Sequence, residues 1–188
     1  MTIIGLTGSL ASGKTTASKI IADNKGPLFS ADKVVKKLYN QKKFKRILSK
    51  KLNFGNDKNF KKNLKNKILK KKEILGKLEK IIHPLVRKEM FIFLKKNVKK
   101  NFLFLEIPLL IESKLAKYFD VIIFIKSNKN LRLKRFMLRG GSPNLFSVLD
   151  NHQIKDSKKM KFCDHIVVNN KSLSVLKKNL SNITYLYE

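Results

Sequence analysis

Gly8-Ser9-Leu10-Ala11-Ser12-Gly13-Lys14-Thr15 satisfies every fixed position of the G-x-x-x-x-G-K-[ST] pattern. The residue types specify the chemistry. Glycine tolerates the positive φ and close approach needed by a backbone that turns its N–H groups inward around phosphate oxygens, which is the expected use of Gly8 and Gly13. The N-terminus of a following helix adds partial positive charge, Lys14 reaches the β- and γ-phosphates, and the Thr15 hydroxyl ligates Mg²⁺. Phosphoryl transfer also needs a carboxylate near the metal at the end of another strand. Glu106, after Phe102-Leu103-Phe104-Leu105, is so placed, and a strand-end carboxylate paired with a lysine would read the same way. A kinase further needs a group that orients and deprotonates an acceptor hydroxyl. Asp32 fits that role across the cleft from Lys14, and fits equally well as the N-cap of a helix.

These residues need elements to hold them. TIIGLT (2–7) reads as a strand, residues 13–24 as a helix, Pro27 to Ser30 as a second strand, and the stretch through Asp32 to Leu38 as another helix. FLFLEI (102–107) and DVIIFI (120–125) are nearly continuous apolar runs, as strands covered on both faces are; HIVVNN (165–170) supplies a fifth. Helical spacing recurs over 128–139 and 171–186. The alternation predicts an α/β domain around a five-stranded parallel sheet. Residues 40–100 interrupt it with lysine-rich helical periodicity and no convincing strand, which predicts a helical insertion between core segments 1–39 and 101–188. His83-Pro84 reads as the start of a new helix, and GGSPN (140–144) as a flexible loop.

Composition narrows the classes. The 188 residues suit one domain, and no uncharged apolar run reaches the roughly 18 residues of a membrane helix. The N-terminus lacks a basic segment and its apolar part is broken by Gly5, Thr7 and Gly8, so export is not expected. The lone Cys163 suits a reducing compartment, and a cytoplasmic location is expected. With 43 Lys+Arg against 13 Asp+Glu, the net charge is +30, a field that attracts phosphorylated substrates. Almost all of that charge is lysine spread along the chain among Asn, Ile and Phe, so a solvated, compositionally biased surface is expected rather than a nucleic-acid interface.

GLTGSLASGKTT, SAD (30–32), FG (54–55), LEKIIHPLVR (78–87), EIPLLIES (106–113), FDVIIFI (119–125), RLKRFMLR (132–139) and CDHIVVNN (163–170) follow one another in an order that resembles dephospho-coenzyme A kinases over nearly the whole chain. The resemblance implies a P-loop kinase fold with a nucleotide-binding core, a helical CoA domain matching 40–100 and a lid near 139–158. It implies ATP and Mg²⁺ as co-reactants, and transfer of the γ-phosphate to the ribose 3′-hydroxyl of dephospho-CoA, the last step of coenzyme A synthesis. Under it Ala11, Ser12, Gly13, Lys14, Thr15 and Thr16 match the ATP-phosphate loop, Asp32 the base or orienter, and Pro108 and Leu109 the turn lining the acceptor side. His83 falls in the substrate-domain contact, and Arg139 stands at the entry of the lid as a catalytic cation.

Three departures stand out. Ser30 replaces the first acid of the usual DAD, no basic signature is recognisable around Asn59 to Leu64, and Leu149 occupies the place of a lid arginine four residues before Gln153. Lys155 or Lys158 could supply the missing charge, without the planar fork of an arginine. Two other readings suit the loop: a kinase for another small hydroxyl or nucleoside-like acceptor, and a nucleotide-regulated protein whose basic surface binds RNA.

Overall fold

A computed structural model describes residues 1–53 and 59–188; Phe54 and Gly55 lie outside the described residues. Five parallel strands form one sheet: β1 (Thr2–Gly8), β2 (Leu28–Ser30), β3 (Phe102–Glu106), β4 (Val121–Lys126) and β5 (His165–Val168), in the order β2-β3-β1-β4-β5. The expected alternation of strands and helices is present. α1 (Lys14–Ala22) joins β1 to β2, and α2 (Ala31–Asn40) leaves β2. The 40–100 stretch forms α3 (Lys42–Leu52), α4 (Phe60–Lys70) and α5 (Glu73–Lys96). α6 (Lys129–Met137), α7 (Pro143–His152) and the single turn α8 (Asp156–Lys159) lie between β4 and β5, and α9 (Leu173–Tyr185) closes the chain.

The central strands β1, β3 and β4 are apolar on both faces because both faces are covered, whereas the edge strand β5 buries Val167 and leaves Ile166 and Val168 exposed. On one, Ile4, Leu6, Phe104, Ile123 and Ile125 pack with Ala17 and Ile21 of α1 and Leu176 and Leu180 of α9. On the other, Phe29, Leu103, Leu105 and Ile122 pack with residues of α3, α4 and α5, including Leu48, Leu64 and Met90. Alternate residues of a strand thus serve two cores. Among the described residues, no helix is long and apolar enough to cross a membrane.

The register decides what meets at the carboxyl ends. Leu6 pairs with Glu106, and Glu106 with Ser30, so the ends of β1, β3 and β2 stand level. The chain leaves β1 toward β2 on one side of the sheet and later reaches β4 on the other. The crevice between β1 and β3 is therefore the topological switch point, where ligands of open α/β sheets bind.

Two local expectations are corrected. Pro84 does not begin a helix: it lies inside α5, exposed, where apolar residues on both sides of it (Leu78, Ile82, Val86, Met90) bury one continuous stripe. That packing outweighs the donor that proline removes. GGSPN is loop only as far as Ser142, whose hydroxyl accepts the Leu145 N–H and caps α7, with Pro143 in the first turn. Replacing Pro84 with alanine restores an amide donor to the Lys80 carbonyl. The expected result is a stability gain of about 1–2 kcal/mol after allowance for the looser unfolded chain, read as a higher urea midpoint at unchanged slope.

Candidate active site

The loop between β1 and α1 is held open by backbone geometry. Gly8 (φ 149°) and Gly13 (φ 96°) take conformations that side chains disfavour, and Ala11 (φ 57°) joins them. A Cβ at Gly8 would strike the Ile125 carbonyl oxygen, and one at Gly13 would strike Nδ2 of Asn169. The loop's second wall is side chains: Asn169 Nδ2 donates to the Ser12 carbonyl at 2.9 Å and Arg135 to the same oxygen at 3.2 Å. Arg135 also donates to Ser127 Oγ (3.1 Å) and to the Asn169 carbonyl (3.1 Å), while Arg132 reaches the Leu10 carbonyl (3.3 Å) and pairs with Asp150. Ser12 Oγ is buried without a hydrogen-bond partner among the described residues, a hydroxyl able to serve a bound phosphate.

Asn169, Arg132 and Arg135 had no assigned role in the sequence. Nothing in the local sequence marks Asn169; the two arginines stand out only by rarity, since three of the chain's five arginines fall within Arg132 to Arg139.

Lys14 is not a surface residue, because the loop closes over it. It is 7% exposed, and its Nζ donates to the Gly8 carbonyl (3.1 Å) and the Ser9 carbonyl (2.7 Å). Burial lowers its pKa to about 8; Asp32 and Glu106 act against that, and Lys159 and Arg132 add to it.

Glu106 is 1% exposed at the end of β3. Its Oε1 accepts from Thr15 Oγ1 at 2.5 Å and its Oε2 from Ser30 Oγ at 2.8 Å. Both partners are hydroxyls, so the lysine-paired alternative does not describe this carboxylate. An oxygen-only pair of Thr15 and Glu106 beside the phosphate loop fits Mg²⁺, a hard cation that takes one or two protein oxygens and fills its remaining positions with phosphate and water.

Asp32 is the second residue of α2, after Ala31; the cap position belongs to Ser30, whose hydroxyl is turned to Glu106. The helix-cap reading of Asp32 is thus set aside. Asp32 opens to the cleft, where the surrounding walls and the Glu106 carboxylate raise its pKa against the pull of Lys14 and Arg139. Arg139, exposed just beyond α6, therefore stands close enough to act on the same carboxylate.

Beyond Asp32 lies an apolar cavity of about 240 Å³ lined by Pro108 and Leu109 of the turn after β3 and by Tyr39, His83 and Arg87. Pro108 is fixed by its carbonyl, which accepts from Thr7 Oγ1 at 3.1 Å, and burial lowers the pKa of His83. The 139–158 stretch is drawn over the cleft: Ser9 donates to Asp156, His152 meets Glu79 at 3.1 Å, and the Ile154 N–H donates to Glu112 at 3.3 Å. Leu149 packs on the apolar cluster beside the cavity, and Lys155 and Lys158 point to solvent.

A phosphate loop with buried lysine, a hydroxyl–carboxylate pair whose chemistry fits a metal, and a second carboxylate at a mostly apolar pocket are the site of a P-loop kinase. The dephospho-CoA kinase family model matches residues 2–174, and the chain belongs to that family. The chain is 34% identical over 178 residues to a dephospho-CoA kinase of Bartonella henselae, covering 92% of this chain and 91% of that one. Its structure resembles the dephospho-CoA kinase of Campylobacter jejuni with a TM-score of 0.65 and 27% identity, over 97% and 95% of the two chains. Shikimate kinase from Acinetobacter baumannii shares the fold alone, at a TM-score of 0.58 and 14% identity over 99% and 92%.

The buried ammonium of Lys14 makes a testable cost. Since its pKa lies near 8 in the folded chain and 10.5 in the ordinary state, the folded form disfavours the charge below pH 8 and recovers stability as pH rises from 8 to 10.5. Lys14→Met at pH 7 is expected to unfold at higher urea by on the order of 2 kcal/mol while losing ATP binding. The gain over wild type shrinks toward pH 10.5. Calorimetric titration and urea melts of both proteins read the two effects, and a variant less stable than wild type at pH 7 contradicts the account.

Proposed function

We propose that the protein transfers the γ-phosphoryl group of ATP to the ribose 3′-hydroxyl of dephospho-CoA, giving coenzyme A and ADP. The observation that carries this reading is the position of Asp32, between the phosphate loop and the apolar cavity of Pro108, Leu109 and His83. One side of that carboxylate suits a polyphosphate, and the mostly apolar cavity on the other suits the adenine or another carbon-rich part of the acceptor.

Each residue then has a task. The amides of Gly8 to Thr16 and the α1 N-terminus bind the phosphates, and Lys14 swings from the Gly8 and Ser9 carbonyls onto the β- and γ-phosphate oxygens. Thr15 and Glu106 would hold Mg²⁺, which would offset phosphate charge. Asp32 accepts the proton of the 3′-hydroxyl, and a raised pKa makes it a better acceptor near neutral pH. Arg139 balances charge at the entry of the cleft. Helices α3 to α5, the 40–100 insertion, act as the CoA domain. The 139–158 lid excludes water, which otherwise competes as phosphoryl acceptor.

ADP release measured by a coupled assay is expected to depend on added dephospho-CoA and not on shikimate, gluconate or nucleosides. Asp32→Asn keeps shape and removes the proton acceptor. Its kcat is expected to fall on the order of 10²-fold or more with ATP affinity retained, and unchanged turnover would remove Asp32 from the chemistry.

A further inference from the structure

The cation that the lid lacks at position 149 is present elsewhere. Lys159, the last residue of α8, is fully buried at 0% exposure, whereas its neighbours Lys155 and Lys158 are exposed. A lysine is almost never so buried without a partner, because its ammonium loses its hydration. The partner is Glu112, whose Oε1 lies 2.5 Å from Nζ, and Gln153 Oε1 stands at 3.5 Å. Glu112 belongs to the turn after β3 that also carries Pro108 and Leu109. Its other oxygen, Oε2, is buried with no hydrogen bond among the described residues, so the pair is left less than fully satisfied.

The opposite end of the same helical turn is tied to the phosphate loop: Asp156 accepts from the Ser9 hydroxyl. Asp156 and Lys159 are three residues apart and so share one face of α8. That face spans the phosphate loop at one end and the acceptor-side turn at the other. The Lys159 charge also disfavours the charge on Lys14, so the two buried ammonium groups act on one another. Lys14 has only carbonyl partners, and Glu112 is the single carboxylate paired with Lys159 among the described residues. Like charges are gathered at such cost where an anion is to come between them.

We propose that Lys159 is a further catalytic residue, a lid cation that touches a non-bridging oxygen of the γ-phosphoryl group during transfer, and that Glu112 is the positioning residue that aims it. This rests on the kinase reading above. In the step, the acceptor 3′-oxygen forms a bond to the γ-phosphorus while the bond from that phosphorus to the β,γ-bridging oxygen breaks. The bonding pair leaves on ADP and the hydroxyl proton passes to Asp32. Lys159 keeps its proton throughout and offsets charge on the group in flight.

Four variants test it: Lys159→Met, Lys159→Arg, the double variant Lys159→Met with Glu112→Gln, and Lys161→Met as an exposed control. Turnover, ATP affinity, the affinity for ADP with aluminium fluoride and dephospho-CoA, and the urea midpoint are read for each. Lys159→Met is expected to lose about 10²-fold in kcat and a similar factor in affinity for the fluoride complex, with ATP affinity unchanged. Lys159→Arg, which keeps the charge, recovers much of the rate. The double variant removes both charges of the buried pair, so its urea midpoint returns toward wild type while its rate stays low. Recovery of rate together with stability in the double variant overturns the proposal, because Lys159 then only braces the lid. Wild-type turnover of dephospho-CoA with normal kcat in Lys159→Met overturns the proposal alone. Failure of the wild type to release ADP in response to dephospho-CoA overturns the functional reading and the proposal with it.

Discussion

The buried carboxylate of Glu106 is the constraint around which the cleft is arranged. A carboxylate removed from water must be hydrogen-bonded or paired, and this one accepts from Thr15 at the head of α1 and from Ser30 at the end of β2. Both bonds require β1, β2 and β3 to end level, which the parallel register provides. Its charge then acts outward: it raises the pKa of Asp32 across the cleft and favours the charged form of Lys14. Sheet register, helix start and the electrostatics of the cleft are thus linked through one side chain. Ser30 takes part in that network as a hydroxyl donor to Glu106.

The phosphate loop is rigid by a different means. Its glycines permit the wrap, but the wrap is kept by Asn169 beyond β5 and Arg135 on α6, both bound to the Ser12 carbonyl. The close approach of Asn169 to Gly13 makes that glycine a packing requirement as well as a conformational one. The same α6 carries Arg132, whose ion pair with Asp150 fastens α7, so the loop and the segment that covers it share one support.

The net charge of +30 divides into two populations. Most lysines stand in solvent, where a charge contributes little beyond solubility and a general attraction for anions. Lys14 and Lys159 are buried against the loop and the acceptor-side turn, where low polarity strengthens every interaction they make. Burial, and not number, therefore sets these two lysines apart. The cavity beside Asp32 is mostly apolar, lined by Pro108, Leu109 and residues of α5, with Asp32, Glu79 and Arg87 also in its wall.

Much of this was legible in the chain. Two-sided apolar runs announced β3 and β4, the spacing of Gly8 and Gly13 before Lys14 announced the loop, and the ordered motifs announced the family, because each depends on neighbours in sequence. Pro84 was misread for the same reason: its local meaning is a helix start, and only the apolar stripe of α5 buried on both sides of it overrides that meaning. Asp32 remained ambiguous until the structure gave the cap position to Ser30. Lys159 looked like one lysine among many, and Asn169 like one more residue at a strand end. Their pairings span 47 and 157 positions, Glu112 with Lys159 and Ser12 with Asn169. Local backbone demands and hydrophobic period are written residue by residue, so the sequence alone determined the strands, the phosphate loop and the kinase family. Which carboxylate is buried, which lysine is drawn out of water and which cavity faces Asp32 were decided by tertiary structure, because burial and charge depend on what the packed chain brings together from distant positions.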